Sequence, residues 1–531
     1  MGPIDIMIVV VYMVVLVYMG YRLGKGNKTQ EDYFIGGRTV ATIPIALSIA
    51  ATTLSANGFI GGPGYSYTNG LNAFMLNFSI PLVLVVTLVV FLPFFYNLKV
   101  TSIYEYIEMR LGSKSRLLIV LGFLVSNIIQ IGSFIFIPSL IIQTFTGWSL
   151  ILIVPIVVAV SILYTLLGGL KAVIWTDAIQ MVVLFGGLLV IFIIVIMKLD
   201  IGFFEGINVA KDAGKFNPLD FSFDLQLENG FWAALIGGSF LWLKYFATDQ
   251  TQTQRMIAAK SVREVKKSIA ISGIVMNTIY FLFIVLGILL YIFYDGKQFE
   301  NANDVMITFL AGSIPIGVLG IIIAAVFAAA MSSIDSVLNS VTTVFVKDIY
   351  EKYFTKGKEA SLRVSKVFTF IFGLLLIGFT LMAFGDTTAS ILAVIGSYLS
   401  YFSGAMIAMF VLAMFTKKAG DIGVAIGFVL GIALTIFFGK LEIANWLWNY
   451  PVGFLLTTSI GYVASMLINE KHAVNYDEFT FKGQRNKLIA EGRTTDEDGV
   501  SILPGTIDKY AYILLGFFAI QTLVLVVLQF I

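Results

Sequence analysis

The chain contains no cysteine and a single histidine, His472, which lies in a polar stretch. Without cysteine, disulfide bonds, thiolate catalysis and cysteine-ligated metal sites are excluded. With one histidine, a histidine metal centre or a histidine–nucleophile pair is not expected. Charged residues make up only 12% of the chain, against about a quarter in soluble globular proteins. These scarcities argue against a soluble enzyme, and we expect neither an organic cofactor nor a nucleic-acid partner.

Apolar residues make up 58% of the 531 positions, and the mean hydropathy is +0.92. A membrane-crossing helix needs roughly 20 predominantly apolar residues. The sequence therefore predicts an all-α integral membrane protein in contact with lipid, with about fourteen spans in one domain. The predicted spans are 4–22, 42–66, 73–98, 118–145, 148–168, 176–198, 230–249, 267–294, 315–346, 363–384, 389–415, 421–439, 449–468 and 509–530.

The positive charges test this set of spans. If the N-terminus lies outside, the inside segments hold 28 of the 34 Lys and Arg residues. Cytoplasmic segments of membrane proteins carry such an excess. One missed span would invert every later segment and mix the two groups. The charges therefore predict a cell-membrane protein with both termini outside.

Span 9 carries an oxygen-rich stripe. Ser332, Asp335 and Ser336 are spaced at i, i+3 and i+4, so two hydroxyls and a carboxylate share one helix face. Such a stripe suits a hard monovalent cation. Serine residues alone are more often helix–helix contacts, but a carboxylate at membrane depth favours an ion path.

Span 2 joins small and polar residues at 51–58 to a Gly-Gly-Pro-Gly segment at 61–64. This composition predicts a helix that breaks near mid-membrane, which would free carbonyl oxygens for cation and solute binding. A simple kink, or a loop that ends the span at Gly61, is an equally good interpretation of the local sequence.

Two further ionisable residues lie at membrane depth. Lys244 lies about 14 residues into span 7, so it either pairs with an aspartate or binds an anionic group of a solute. Asp177 begins span 6 and is either a buried ion ligand or the N-terminal anion of its helix.

Four segments together resemble the sodium/solute symporter family. They are 31–38 (EDYFIGGR), 164–177 (YTLLGGLKAVIWTD), 248–255 (TDQTQTQR) and 328–350, which contains SSIDSVLNS. The resemblance implies a LeuT-like core of two inverted five-helix repeats, spans 2–6 and 7–11. It divides the single domain 1–531 into a leading helix (4–22), a first repeat (42–198), a second repeat (230–415) and peripheral helices (421–531).

The resemblance also implies two cation sites. The main Na⁺ site would use the carbonyl oxygens of Ala51, Leu54 and Ala329 and the hydroxyls of Ser332 and Ser333. A second site would use an acidic residue on the first repeat together with residues of span 9. Its implied members are Asp177, Ser332, Asp335 and Ser336.

Candidate residues for binding the solute are Asn57, Asn77, Gln130, Lys244 and Ser397. The resemblance assigns Tyr245 to the inner gate. The predicted function is therefore sodium-coupled symport of a small organic solute, anionic or carboxylate-bearing, into the cell by alternating access. Three alternatives remain from the sequence: a proton-coupled carrier using Asp177 and Asp335, a membrane-embedded enzyme, and a channel or sensor.

Overall fold

The computed structural model describes residues 1–384, 391–468, 470 and 476–530, apart from the side chains of residues 57, 137, 203, 383, 384, 391–395, 476 and 477. These residues form helices and connecting segments. The first twelve helices are α1 (Pro3–Gly24), α2 (Gln30–Ile35), α3 (Thr42–Thr53), α4 (Ala56–Asn69), α5 (Ile80–Val86), α6 (Leu92–Leu98), α7 (Ile103–Arg110), α8 (Ser113–Thr146), α9 (Leu150–Met197), α10 (Phe203–Asp212), α11 (Gly238–Ala247) and α12 (Gln250–Ile257).

The second half continues with nine more helices. They are α13 (Val262–Phe293), α14 (Ala302–Ser313), α15 (Val318–Val344), α16 (Leu362–Phe384), α17 (Ile391–Phe415), α18 (Asp421–Lys440), α19 (Asn449–Ile468), α20 (Phe481–Ala490) and α21 (Lys509–Phe530). Short π-helical segments at Thr87–Phe91, Ala233–Gly237 and Phe345–Phe354 extend α5, α11 and α15.

Within the described residues each predicted span is largely helical, but spans 5 and 6 belong to the single helix α9, and span 3 comprises several short helical segments, α5 and α6 among them. Eleven helices within the described residues are long and apolar enough to cross a membrane, and Thr42–Thr53 and Ala233–Ala247 are shorter apolar helices. Several of the eleven are longer than one crossing requires, and Leu150–Met197 with 48 residues is the extreme case. The all-helical membrane architecture is confirmed, whereas the count of fourteen crossings stays a prediction.

The long helix α9 bends at Gly169, between predicted spans 5 and 6. Gly169 has φ 61° and ψ −163°, a combination that is essentially restricted to glycine. A Cβ atom at this position would lie 2.6 Å from the carbonyl oxygen of Tyr33. The glycine therefore permits both the bend and the close approach of α2.

Span 2 is broken, as one of the two sequence interpretations predicted. Helix α3 ends at Thr53, Leu54 has a non-helical ψ of 71°, and α4 begins at Ala56. The Gly-Gly-Pro-Gly segment is not the break, because α4 continues through it to Asn69. Instead it lets other helices approach, since a Cβ at Gly64 would collide with the backbone of Ala302.

Helix α15 lies at the centre of the bundle. It packs against α9, α3, α4, α8 and α1, and almost all of its residues are buried. The outer helices α18 and α21 instead expose large apolar side chains on one face, such as Phe437 and Leu523. The helix that carries the predicted oxygen stripe is thus the most completely buried of the eleven long apolar helices among the described residues.

Candidate functional site

The break between α3 and α4 leaves the last carbonyl groups of α3 without intrahelical partners. Hydroxyl groups from other helices donate to them instead. Tyr245 donates to the oxygen of Thr52 at 3.2 Å, and Tyr280 donates to that of Thr53 at 2.8 Å. The broken end of α3 is therefore a cluster of backbone oxygens surrounded by hydroxyls.

Two adjacent serines of α15 meet the same cluster. The Ser332 hydroxyl lies 3.1 Å from the Ala51 oxygen and 3.3 Å from the Ala329 oxygen. The Ser333 hydroxyl lies 3.3 Å from both the Thr52 and the Ala329 oxygens. Both serines are fully buried.

Four of the five residues expected at the main Na⁺ site are thus brought together, and the fifth, Leu54, lies at the break itself. The atoms that could coordinate a cation here are neutral carbonyl and hydroxyl oxygens, which are ligands that hard cations prefer. Such a set, buried at the centre of a membrane protein, can replace the hydration shell of Na⁺.

A second polar cluster lies beside the first. Asp177 accepts hydrogen bonds at its Oδ2 atom from Ser48 at 2.6 Å, Thr52 at 3.4 Å and Ser336 at 3.5 Å. Asp335 accepts from the Tyr164 hydroxyl at 2.6 Å and from Ser336 at 3.1 Å. The residues expected at the second site are therefore adjacent, with Ser336 between the two carboxyl groups.

Arg255 is a member of this cluster that the sequence interpretation missed. Its Nη2 atom lies 3.1 Å from Asp177 Oδ2, and both side chains are buried. It also donates to Ser48 at 2.8 Å, and to Ser336 and the Thr251 carbonyl. The cluster therefore holds two carboxyl groups and one guanidinium.

The segment that carries Arg255 lies between predicted spans 7 and 8, and it is helical. Residues 250–257 form α12, and every residue of that helix is buried.

A cavity of about 330 Å³ lies beside the break, lined there by Thr53, Ser55 and Gly58. Three of the five predicted solute-binding residues, Asn77, Gln130 and Lys244, line it. Ser397 does not line it, although Gly396 and Leu399 on the same helix do. The side chain of Asn57 lies outside the described residues.

Tyr245 connects the cavity to the cation cluster. Its ring lines the cavity, and its hydroxyl donates to Thr52 O, which the Ser333 hydroxyl also contacts. The ring packs edge-to-face on Trp242. A single hydrogen bond therefore connects Tyr245 in the cavity wall to the main cation cluster.

Lys244 lines the cavity and also forms an internal ion pair. Its Nζ atom lies 2.5 Å from Asp249 Oδ2, and both side chains are buried. Asp249 in turn caps α12, since its Oδ1 atom accepts from the Thr251 amide at 2.9 Å. An ammonium group has three donors, so the pair leaves hydrogen-bonding capacity for a solute.

Another part of the cavity is built from residues that the sequence interpretation missed. Glu228 comes from the segment before α11, and Trp446 from the segment before α19. Trp446 Nε1 donates to Glu228 Oε1 at 2.8 Å. Eight aromatic side chains line the cavity: Tyr65, Phe134, Trp242, Tyr245, Tyr280, Phe283, Trp446 and Tyr450.

Comparison with known proteins gives consistent matches along most of the chain. Residues 33–431 match the family model described as the sodium:solute symporter family. The sodium/sialic acid symporter NanT of Aliivibrio fischeri is 28% identical over 498 residues, which is 92% of this chain and 98% of the relative. Human sodium-coupled monocarboxylate transporter 1 is 31% identical over 428 residues, which is 78% of this chain and 69% of the relative.

Solved structures agree with these matches. A substrate-bound, outward-open Na⁺-coupled sialic acid symporter superimposes with a TM-score of 0.81 at 27% identity, covering 89% of this chain and 99% of the other. The nucleobase-cation-symport transporter Mhp1 in a closed conformation shares the fold at a TM-score of 0.58 and 12% identity, covering 84% and 97%.

Proposed function

The chain belongs to the sodium:solute symporter family and performs sodium-coupled symport, and from this premise we propose that it imports a small carboxylate-bearing solute. It is a multi-pass membrane transporter with a LeuT-like core, and not an enzyme. We assign the two inverted repeats to 42–198 and 230–415, with 4–22 as a leading helix and 421–531 as peripheral helices.

The main Na⁺ site consists, in this proposal, of the Ala51, Leu54 and Ala329 carbonyls and the Ser332 and Ser333 hydroxyls. One observation carries it. The serine hydroxyls of α15 contact carbonyl oxygens at the broken end of α3, at 3.1–3.3 Å. A cation there would bind both helices at once.

Sodium binding would favour solute binding because Thr52 and Tyr245 connect the cation site to the cavity. A cation at the α3 break holds the Thr52 backbone in place, and Thr52 O accepts from Tyr245, which lines the cavity. Because linkage is reciprocal, the solute must then strengthen Na⁺ binding by the same factor. Alternating access follows when the two repeats rock about the fixed site.

A second cation site is proposed at Asp177, Ser332, Asp335 and Ser336. The cluster holds two carboxyl groups and one guanidinium, and Arg255 pairs with Asp177 while Asp335 is bonded by Tyr164. One monovalent cation would therefore balance the charge of the buried cluster. A proton on either acid is the competing account. Ion replacement at constant pH separates the two.

The positive charges support both termini outside and import toward the cytoplasm. With inside segments holding 28 of 34 basic residues, the orientation follows the positive-inside rule. Each Na⁺ crossing 100 mV contributes about 2.3 kcal/mol, which is enough for roughly fortyfold accumulation of a neutral solute.

Two observations support the proposal that the solute bears a carboxylate group. Lys244 is a cation in the cavity wall, and an ammonium group can donate to a solute carboxylate while it pairs with Asp249. Relatives in the comparisons transport sialic acid and monocarboxylates.

Uptake into proteoliposomes tests this function. An inward Na⁺ gradient should drive accumulation of one or more members of a panel of monocarboxylates, sugar acids and amino acids. An equal K⁺ gradient should not. Accumulation that follows a pH gradient equally well without sodium would contradict sodium coupling.

A further inference from the structure

Glu228 is an acidic residue in the cavity wall without a cationic partner. It lines the same cavity as Lys244. Among the residues that the structure describes, no Lys or Arg lies within ion-pair distance of it, whereas Lys244 is already paired with Asp249. Burial raises the pKa of the Glu228 carboxyl, as expected for an acid shielded from water. Such an acid is costly unless a ligand compensates it.

The Glu228 carboxyl accepts one hydrogen bond, and further hydrogen bonds hold the segment that carries it. Trp446 Nε1 donates to its Oε1 atom, and the neighbouring Asn229 carboxamide bonds to the Tyr65 hydroxyl at 2.8 Å. Asn445 donates to the carbonyls of Leu225 and Leu227, each at 3.0 Å. These bonds fix the segment that carries Glu228 to the segment that carries Trp446, so the acid is a fixed part of the wall.

Aromatic rings surround the same space. Tyr65, Trp446 and Tyr450 line the cavity together with Glu228. The faces of Trp and Tyr rings attract ammonium groups within about 6 Å of the ring centre. A carboxylate among aromatic rings is therefore suited to a cationic nitrogen and unfavourable for a second anion.

The two charged groups of the wall lie at different depths. Residues 231–247 are continuously helical, and Glu228 precedes this helix while Lys244 lies near its other end. At 1.5 Å per residue, Phe231 and Lys244 are about 20 Å apart along the helix axis. The two side chains shorten this separation, but several carbon atoms of a solute still fit between them.

We propose that the solute is an elongated zwitterion, whose ammonium group binds Glu228 among the aromatic rings while its carboxylate faces Lys244. This inference rests on the proposed function for the carboxylate end and adds the cationic end. The apolar middle of such a solute would contact the aromatic wall, and its net charge would be zero. It follows that a plain carboxylate of the same length should bind more weakly.

A matched set of three probes tests the cationic end. Binding of hexanoate, 6-aminohexanoate and hexylamine to the purified protein in sodium buffer would be measured by competition and by thermal shift. We expect 6-aminohexanoate to bind about tenfold or more tightly than hexanoate. In Glu228→Gln this preference should fall to within about twofold, since the charge partner is gone.

Two further variants keep the test independent of folding defects. Glu442→Gln removes an exposed carboxylate from the segment between α18 and α19 and should leave the preference unchanged. Trp446→Phe keeps the acid but removes its hydrogen-bond donor, and should reduce the preference by a smaller factor than Glu228→Gln.

The outcomes separate this inference from the proposed function. Equal binding of hexanoate and 6-aminohexanoate, an unchanged preference in Glu228→Gln, or no binding of either ammonium probe would overturn the zwitterion. If hexylamine binds as tightly as 6-aminohexanoate, the cationic end stands and the carboxylate of the proposed function fails.

Discussion

The hydroxyl of Tyr245 donates a hydrogen bond to the carbonyl oxygen of Thr52 at 3.2 Å, and this bond joins the solute cavity to the cation cluster. Tyr245 belongs to α11 and Thr52 to the last turn of α3. The Ser333 hydroxyl of α15 contacts the same carbonyl. Three helices therefore meet at one backbone oxygen, which gives a physical path by which a cation and a solute affect each other.

Removing the Tyr245 hydroxyl should weaken the coupling between Na⁺ binding and solute binding. In Tyr245→Phe we expect the factor by which solute tightens Na⁺ binding to fall about fivefold, since one hydrogen bond of about 1 kcal/mol is lost. Na⁺ titrations with and without a saturating transported solute measure this factor. Tyr398→Phe, an exposed tyrosine, serves as the control. An unchanged factor in Tyr245→Phe would show that the coupling runs elsewhere.

Arg255 is expected to be essential for stability. Its loss leaves Asp177 buried without its cation, and breaking one side of a buried ion pair typically costs about 3–5 kcal/mol. Arg255→Met should therefore unfold at a much lower temperature in detergent. The double variant Arg255→Met/Asp177→Asn should recover part of the loss. If the double variant is no more stable than the single one, the ion pair is not the reason for the effect.

Asp335 tests the second cation site separately from the main one. If both sites take Na⁺, the Hill coefficient of sodium activation approaches 2 in the native protein, and Asp335→Asn should lower it to about 1. Tyr164→Phe, which removes a donor to the Asp335 carboxyl, should have a smaller effect in the same direction. A native coefficient of 1 with uptake that depends on pH would favour a proton at this site.

The bend of α9 depends on a single glycine. Gly169→Ala places a Cβ against the Tyr33 carbonyl at a backbone conformation that only glycine readily adopts, so we expect a loss of about 1–3 kcal/mol. Gly186→Ala on the same helix is the matched control, because a Cβ there has no heavy atom within 4 Å. Thermal unfolding of both variants in detergent measures the difference. Equal unfolding temperatures of the two variants would contradict the predicted backbone strain at residue 169 in Gly169→Ala.

The membrane fold and most of the cation cluster were accessible from the sequence. Apolar runs of about 20 residues indicate membrane-spanning helices directly, because the bilayer core favours apolar side chains and internally bonded backbone groups. The break of span 2 was predicted, and the resemblance implied freed carbonyls at Ala51 and Leu54; the chain leaves the helix at Leu54, whereas the Gly-Gly-Pro-Gly segment allows close helix packing. The stripe of Ser332, Asp335 and Ser336 on α15 was found because residues of one helix face follow a fixed spacing, whereas Ser333 was implied only by the family resemblance.

The other residues of the site could not be predicted from the sequence, for physical reasons. Arg255 lies in a segment whose polar residues resemble a loop, although α12 is fully buried. Glu228 and Trp446 come from connecting segments more than 200 residues apart, and only the folded chain brings them into one wall. Ser397 does not line the cavity although its neighbour Gly396 does, because neighbouring residues of a helix point in directions about 100° apart.

Sodium activation of transport in Ser332→Ala and Ser333→Ala tests the central claim most directly. Ser340→Ala on the same buried helix, whose hydroxyl bonds Thr251 instead, is the control. The account predicts that the Na⁺ concentration for half-maximal uptake rises about tenfold or more in both variants, with a smaller change in solute affinity at saturating Na⁺ and no change in the control. Sodium activation that is unaltered in both variants would contradict it.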